Sequence, residues 1–128
     1  MLTDIKVAVY QLVSDLGYNI TDSRNYEESF PWLMLHTNNY QVSQSFDIKY
    51  EMISLTIDIF STYNGEKEII DIAEDISNHI QSLREQYPEI TMITQAAMRI
   101  IQDKSKGPVC EHGVLTYQFI LTSGMGGN

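Results

Sequence analysis

The sequence predicts a single α+β domain of order α-β-β-α-β-β, an antiparallel sheet with two helices packed on one face and a projecting β-hairpin arm. Three observations lead there. Two stretches repeat apolar residues every three or four positions, and four others alternate or run apolar over strand lengths. Helices with a single apolar stripe must bury it, and one face of an antiparallel sheet is the economical place. Finally, 128 residues of which 43% are hydrophobic supply one core, whereas two half-length cores would each be marginal. The domain is assigned to residues 1–121, with residues 122–128 as a flexible Gly-rich tail.

Residues 3–17 read as the first helix. Thr3 is placed as its N-cap, Asp4 suits the positive end of the helix dipole, and Gly17 is placed as the residue that stops it. Ile5, Ala8, Val9, Leu12, Val13 and Leu16 form its apolar stripe. Residues 19–28 are polar without either period and read as a loop. Pro31 then precedes a short strand, Trp32-Leu33-Met34-Leu35-His36. The uncharged run Asn38, Asn39, Tyr40, Gln41, Val42, Ser43, Gln44 and Ser45 reads as the polar tip of a hairpin.

In the next strand Phe46, Ile48, Tyr50 and Met52 alternate with polar residues, and then the apolar phase shifts to Ile53, Leu55, Ile57 and Ile59. Such a slip predicts either a β-bulge near residues 51–53 or a section buried on both faces. Sixteen residues of strand would reach roughly 50 Å, longer than so small a core can cover, so part of the hairpin should project. Asn64-Gly65 ends the strand. Residues 66–87 read as one long helix with Ile69, Ile72, Ala73, Ile76, Ile80, Leu83 and Tyr87 on its buried face, stopped by Pro88. Residues 90–102 form a strand, residues 103–113 a polar connection containing Gly107-Pro108, and residues 114–121 the last strand.

Composition narrows the function. Eight basic against seventeen acidic side chains give a net charge of −9, spread evenly: three cations against eight acids in residues 1–64, five against nine in residues 65–128. That is a poor supply of cations for gripping phosphates, which argues against a DNA-binding module but not against a surface DNA slides past. No apolar run is long enough to span a bilayer, the N-terminus lacks the features of a secretory signal, and a single cysteine excludes an internal disulfide. The expectation is a soluble, intracellularly made protein.

Chemistry-bearing clusters are few. Cys110-Glu111-His112 is the one candidate, but a zinc site wants three or four ligands, and His36 and His79 lie on other elements. A Cys110–His112 catalytic pair lacks an orienting third group. Adjacent Glu74 and Asp75 form a solvated helix face, and Gly124-Met125-Gly126-Gly127 has no helix after it to bind phosphate. The reading is therefore no enzyme, no cofactor and no metal, with an interaction role carried by Trp32, the eight tyrosines and the uncharged hairpin tip, which a neighbouring subunit should cover.

Three segments carry a resemblance. Phe30-Pro31-Trp32-Leu33-Met34-Leu35 follows the first helix, Ser54-Leu55-Thr56-Ile57-Asp58-Ile59-Phe60-Ser61 leads into the second, and Arg99-Ile100-Ile101-Gln102-Asp103 is followed by His112-Gly113-Val114-Leu115-Thr116-Tyr117-Gln118-Phe119. In this order they resemble the tail terminator (tail completion) proteins of long-tailed bacteriophages, the group similar to the lambda U protein, over nearly the whole chain. The resemblance implies a hexameric ring that sits on the last ring of the tail-tube protein, stops tube growth and offers the surface that joins the head-tail connector. DNA would pass through its lumen without specific binding, with no membrane involved. It implies location in the host cytoplasm during assembly and then at the head-proximal end of the virion tail. It transfers no catalytic residue, and residues 38–45 match only the position of a projecting loop. Alternatives are a head-completion or stopper protein of the phage neck, a small ligand-binding or regulatory α+β domain, and a hydrolase using Cys110 and His112.

Overall fold

The computed structural model describes residues 1–21, 31–61, 65–103 and 110–124. The elements are α1 (Leu2–Asp15), β1 (Asn19–Thr21), β2 (Trp32–Gln44), β3 (Ile48–Ser61), α2 (Gly65–Ile80), the single turn α3 (Leu83–Gln86), β4 (Ile90–Asp103) and β5 (Cys110–Gly124). The strands form one five-stranded sheet in the order β1-β2-β3-β5-β4. All neighbours are antiparallel except β1, which runs parallel to β2, so the sheet is mixed and not purely antiparallel. No described helix is long and apolar enough to cross a membrane.

Helix α1 begins one residue before the expected cap. Met1 is its N-cap and no side chain caps it, which corrects the role given to Thr3. Its end is as expected. Gly17 takes φ of 98°, its N–H donates to Ser14 O at 3.0 Å, and Tyr18 N–H donates to Val13 O at 3.4 Å, the paired bonds of a Schellman stop. The turn delivers Asn19–Thr21 as β1 beside Trp32, Leu33 and Met34, inside a stretch expected to be loop. Three residues are too few to show a period, which is why the sequence hides them. Residues 22–28 of that expected loop lie outside the described residues, as do Asn64, Gly107-Pro108 and residues 125–128 of the tail.

The run Asn38–Ser45 is not a hairpin tip. Residues 39–44 continue β2 and pair with residues 49–54 of β3, and the turn falls at residues 45–47, where Ser45 N–H donates to Ile48 O at 2.9 Å. Polar composition misled here because an edge strand open to solvent on both faces has no apolar alternation to display. Strand β5 also runs further than expected, taking in residues 110–113 and 122–124, so that Gly124 lies opposite Ile48 and β5 flanks β3 along its full length.

The phase change in β3 is not a bulge, since β3 pairs with β5 without a register shift from Ile48 to Ser61. It is a strand buried on both faces: every residue from 53 to 61 is buried. The bulges sit elsewhere, at Asn38 in β2 and at Thr91 and Ala96 in β4. The long helix expected over residues 66–87 breaks at residues 81–82. Ser82 turns both its N–H (3.1 Å) and its hydroxyl (2.7 Å) onto His79 O, and Gln81 Nε2 donates to Ile93 O at 3.0 Å. The break lets Leu83, 3% exposed, enter the core beside Ile80.

That core lies between the sheet and the helices α1 and α2, which share one face. Ile53, Leu55, Ile57 and Ile59 of β3 and Leu115, Tyr117, Phe119 and Leu121 of β5 meet Ile5, Val9 and Val13 of α1 and Ile69, Ile72, Ile76 and Ile80 of α2. Gly113 is a point of close approach between α2 and β5, because a Cβ there would run into Ile69 Cγ2. Ile69 is fully buried and has little room to yield. Gly113→Ala is therefore expected to cost about 1–3 kcal/mol by overpacking, read as a lowered denaturation midpoint with an unchanged slope.

Candidate functional site

Because side chains alternate across a strand, the residues of β3 between its core positions emerge on the face away from the helices. They are Ser54, Thr56, Asp58 and Phe60, and all four are buried to 8% exposure or less. A carboxylate in such a row must find donors or cost several kcal/mol. Asp58 finds two: His36 Nε2 on β2 at 2.7 Å from Oδ2, and His112 Nε2 on β5 at 2.7 Å from Oδ1. An ionised carboxylate only accepts, so both rings turn Nε2–H toward it. One buried side chain thus ties three adjacent strands.

Next to this clasp lies an aromatic stack. The His112 ring packs on Phe60 with centroids 4.5 Å apart and planes 18° from parallel, and Phe60 packs on Trp32 at 5.0 Å and 24°. Trp32 Nε1–H donates to Thr21 Oγ1 at 3.0 Å, so β1 anchors the end of the stack. Trp32 and Phe60 form a small apolar cluster separate from the main core. Further along the same face the hydroxyls of Thr56 and Thr116 lie 3.1 Å apart, joining β3 to β5.

Burial alone would raise the Asp58 pKa. The hydrogen bonds and charges of His112, then of His36, outweigh it and hold the carboxyl below its ordinary value. On the helix side, burial, the hydrogen bond to Asp75 (2.6 Å) and the nearby acids push the Tyr18 phenol up to about 12. Tyr117 is raised by burial, partly offset by its hydrogen bond with Ser77. No set of three or more His, Cys, Asp or Glu arranged to hold a metal occurs among the described residues.

The interface candidates from the sequence occupy one continuous strip. Asn38 is the bulged residue, Asn39 to Gln44 are the outer half of β2, Ser45 starts the turn, and all eight are exposed. β1 pairs only with residues 32–34, so among the described residues β2 has a free edge from Leu35 to Gln44. This stretch contains no Lys, Arg, Asp, Glu or Pro, the residues that normally blunt an edge. Tyr40 reaches inward, its hydroxyl donating to Glu51 Oε1 at 2.6 Å and supplying the carboxylate of a residue only 5% exposed. At the turn Phe46 is fully exposed, and Tyr50, 44% exposed, follows on β3.

The sequence did not announce the clasp. His36 and His112 are 76 positions apart, and His112 was placed in a connection that proves to be strand. The available signal was Asp58 itself, an acid inside an apolar run, which has to be paired. Of the triplet Cys110-Glu111-His112, only His112 enters this site, while Cys110 opens β5 opposite Asp103. Neither a scan against protein-family models nor a search of curated proteins finds a match to this chain.

The depressed pKa of Asp58 sets a pH dependence. A carboxyl whose folded value is lowered contributes stability that is complete above its unfolded value, near pH 4, and is lost as pH falls through the folded value. Asp58→Ala, which strands the His112 N–H, is expected to cost about 1–3 kcal/mol at pH 7. Urea unfolding of both proteins should show the difference shrinking below about pH 4.

Proposed function

We propose that this chain is a structural assembly subunit, of the kind that caps a bacteriophage tail tube as a ring and forms the surface to which the head is joined. One observation carries the reading: the uncharged free edge of β2 from Leu35 to Gln44, ending beside the fully exposed Phe46. Unpaired backbone on so long an edge is a template for another chain, and large aromatics beside it supply contact area at low entropic cost. The phase change of β3 supports the same reading. Its outer apolar residues, Ile48, Tyr50 and Met52, emerge on the face that α1 and α2 leave open, as contacts for a partner would.

The α+β architecture, with helices on one side of the sheet, is compatible with the tail terminator resemblance. Within that proposal the outer parts of β2 and β3 act as an arm reaching the neighbouring subunit or the tail-tube protein. The net charge of −9 suits a lumen through which DNA passes without adhering. In this role the His36–Asp58–His112 clasp is a positioning device. It holds β2 in register on β3 just before the bulge at Asn38 where the exposed strip begins.

The test combines Gln41→Lys, Ser43→Lys and Phe46→Ser, all at exposed positions. The variant is expected to melt within about 0.5 kcal/mol of the parent, as surface changes do, while losing ring particles in negative-stain microscopy. In the phage that encodes the protein, the same variant should give tails of uncontrolled length or tails without heads. Normal rings and normal tails would refute the role given to this strip.

A further inference from the structure

The two ends of the sheet carry matching surfaces. At one end a groove of about 360 Å³ runs between α1 and β2, lined by Thr3, Lys6, Val7, Tyr10 and Leu35. At the other a groove of about 330 Å³ runs between α2 and β4, lined among others by Ile70, Glu74, Gln95 and Met98. Each helix lip exposes large apolar side chains, Val7 (60%) and Tyr10 (39%) on α1 and Ile70 (37%) on α2. Each groove lining also carries one charge outside any ion pair among the described residues, Lys6 in the first and Glu74 in the second. Lys67 and Asp71 near Ile70 already pair with each other at 2.8 Å, while exposed Glu66, one turn before Ile70, adds a second acid to this lip.

Strand direction completes the match. From β2 through β3 and β5 to β4 every step is antiparallel, so β2, whose outer part extends past β1, runs opposite to the edge strand β4. A second copy placed beside the first in the same orientation sets its β2 antiparallel to β4, with all helices on one face of the continued sheet. β4 is nearly uncharged too, with Arg99 and Asp103 alone in Ile90–Asp103. A two-fold arrangement would instead set Lys6 against Lys6 or Glu74 against Glu74. Charge complementarity therefore selects the head-to-tail contact, and such contacts close into a ring when the rotation per copy divides the circle.

We infer that the occupant of the α1/β2 edge is the α2/β4 edge of a second copy of this chain, with Val7 and Tyr10 packed against Ile70 and Lys6 facing Glu74. This rests on the reading of the chain as a self-assembling subunit and names the surfaces it assembles by.

Sedimentation equilibrium on purified protein tests it. Val7→Glu and Ile70→Glu should each give folded monomers. Mixed one to one, they should give a heterodimer and nothing larger, because each retains the face the other has lost. Lys6→Glu or Glu74→Lys alone should weaken association about tenfold, and the two exchanges together in one chain should restore it. If the parent protein assembles but these variants assemble as well as it does, the surfaces are wrong while the assembly reading stands. If the mixture stays monomeric, the head-to-tail arrangement is wrong. A parent that is monomeric at every concentration would overturn the assembly reading and this inference together.

Discussion

The double burial of β3 is the constraint on which the rest of the structure depends. Its helix-side row, Ile53, Leu55, Ile57 and Ile59, is the floor of the core, and no residue of it exceeds 1% exposure. Pleating then forces the intervening row onto the opposite face, where no described helix lies, and that row is polar up to Phe60. The strands on either side supply the partners of its polar groups. The satisfaction of Asp58 by His36 and His112 is thus a condition of keeping β2 and β5 beside β3, and the Thr56–Thr116 pair repeats the logic one step along. Among the described residues every fully buried side-chain polar atom has a partner, as a central strand of this kind demands.

The same strand explains where the molecule is finished and where it is not. Over residues 53–61 the sheet has helices above it, and the helix-side row is aliphatic. Beyond Met52 that cover ends and the apolar residues change face. Glu51 is buried with its carboxylate bonded by Tyr40, and Tyr50 and Phe46 are left in solvent. Among the described residues, a free edge, an uncovered face and exposed aromatics meet in this outer region. The two helix lips add a second element. Their apolar residues are excess to the core, since α1 and α2 already bury Ile5, Val9, Val13, Ile69, Ile72 and Ile76 elsewhere on their circumference.

Much of this was legible in the sequence because it follows from local rules. The stripe of α1, its stop at Gly17, the buried face of α2 from Ile69 to Ile80 and the alternation of Leu115, Tyr117, Phe119 and Leu121 each arise from the period of one element. The paucity of cations comes from composition. The burial of β3 on two faces was one of two readings its phase change allowed.

What only the tertiary structure decided involves residues far apart in the chain. Strand β1 exists because Trp32 and its neighbours offer it an edge, the second helix breaks where Ser82 and Gln81 find bonds to His79 and Ile93, and residues 39–44 are strand because β3 lies beside them. The clasp is the clearest case. Nothing local marks His36 and His112 as partners of Asp58, for their meeting depends on the registers of β2 and β5 on β3, which bulges and turns set. Periodicity determines which side of an element is apolar. Register determines which polar groups on the other side can satisfy one another, and register is a property of the assembled sheet.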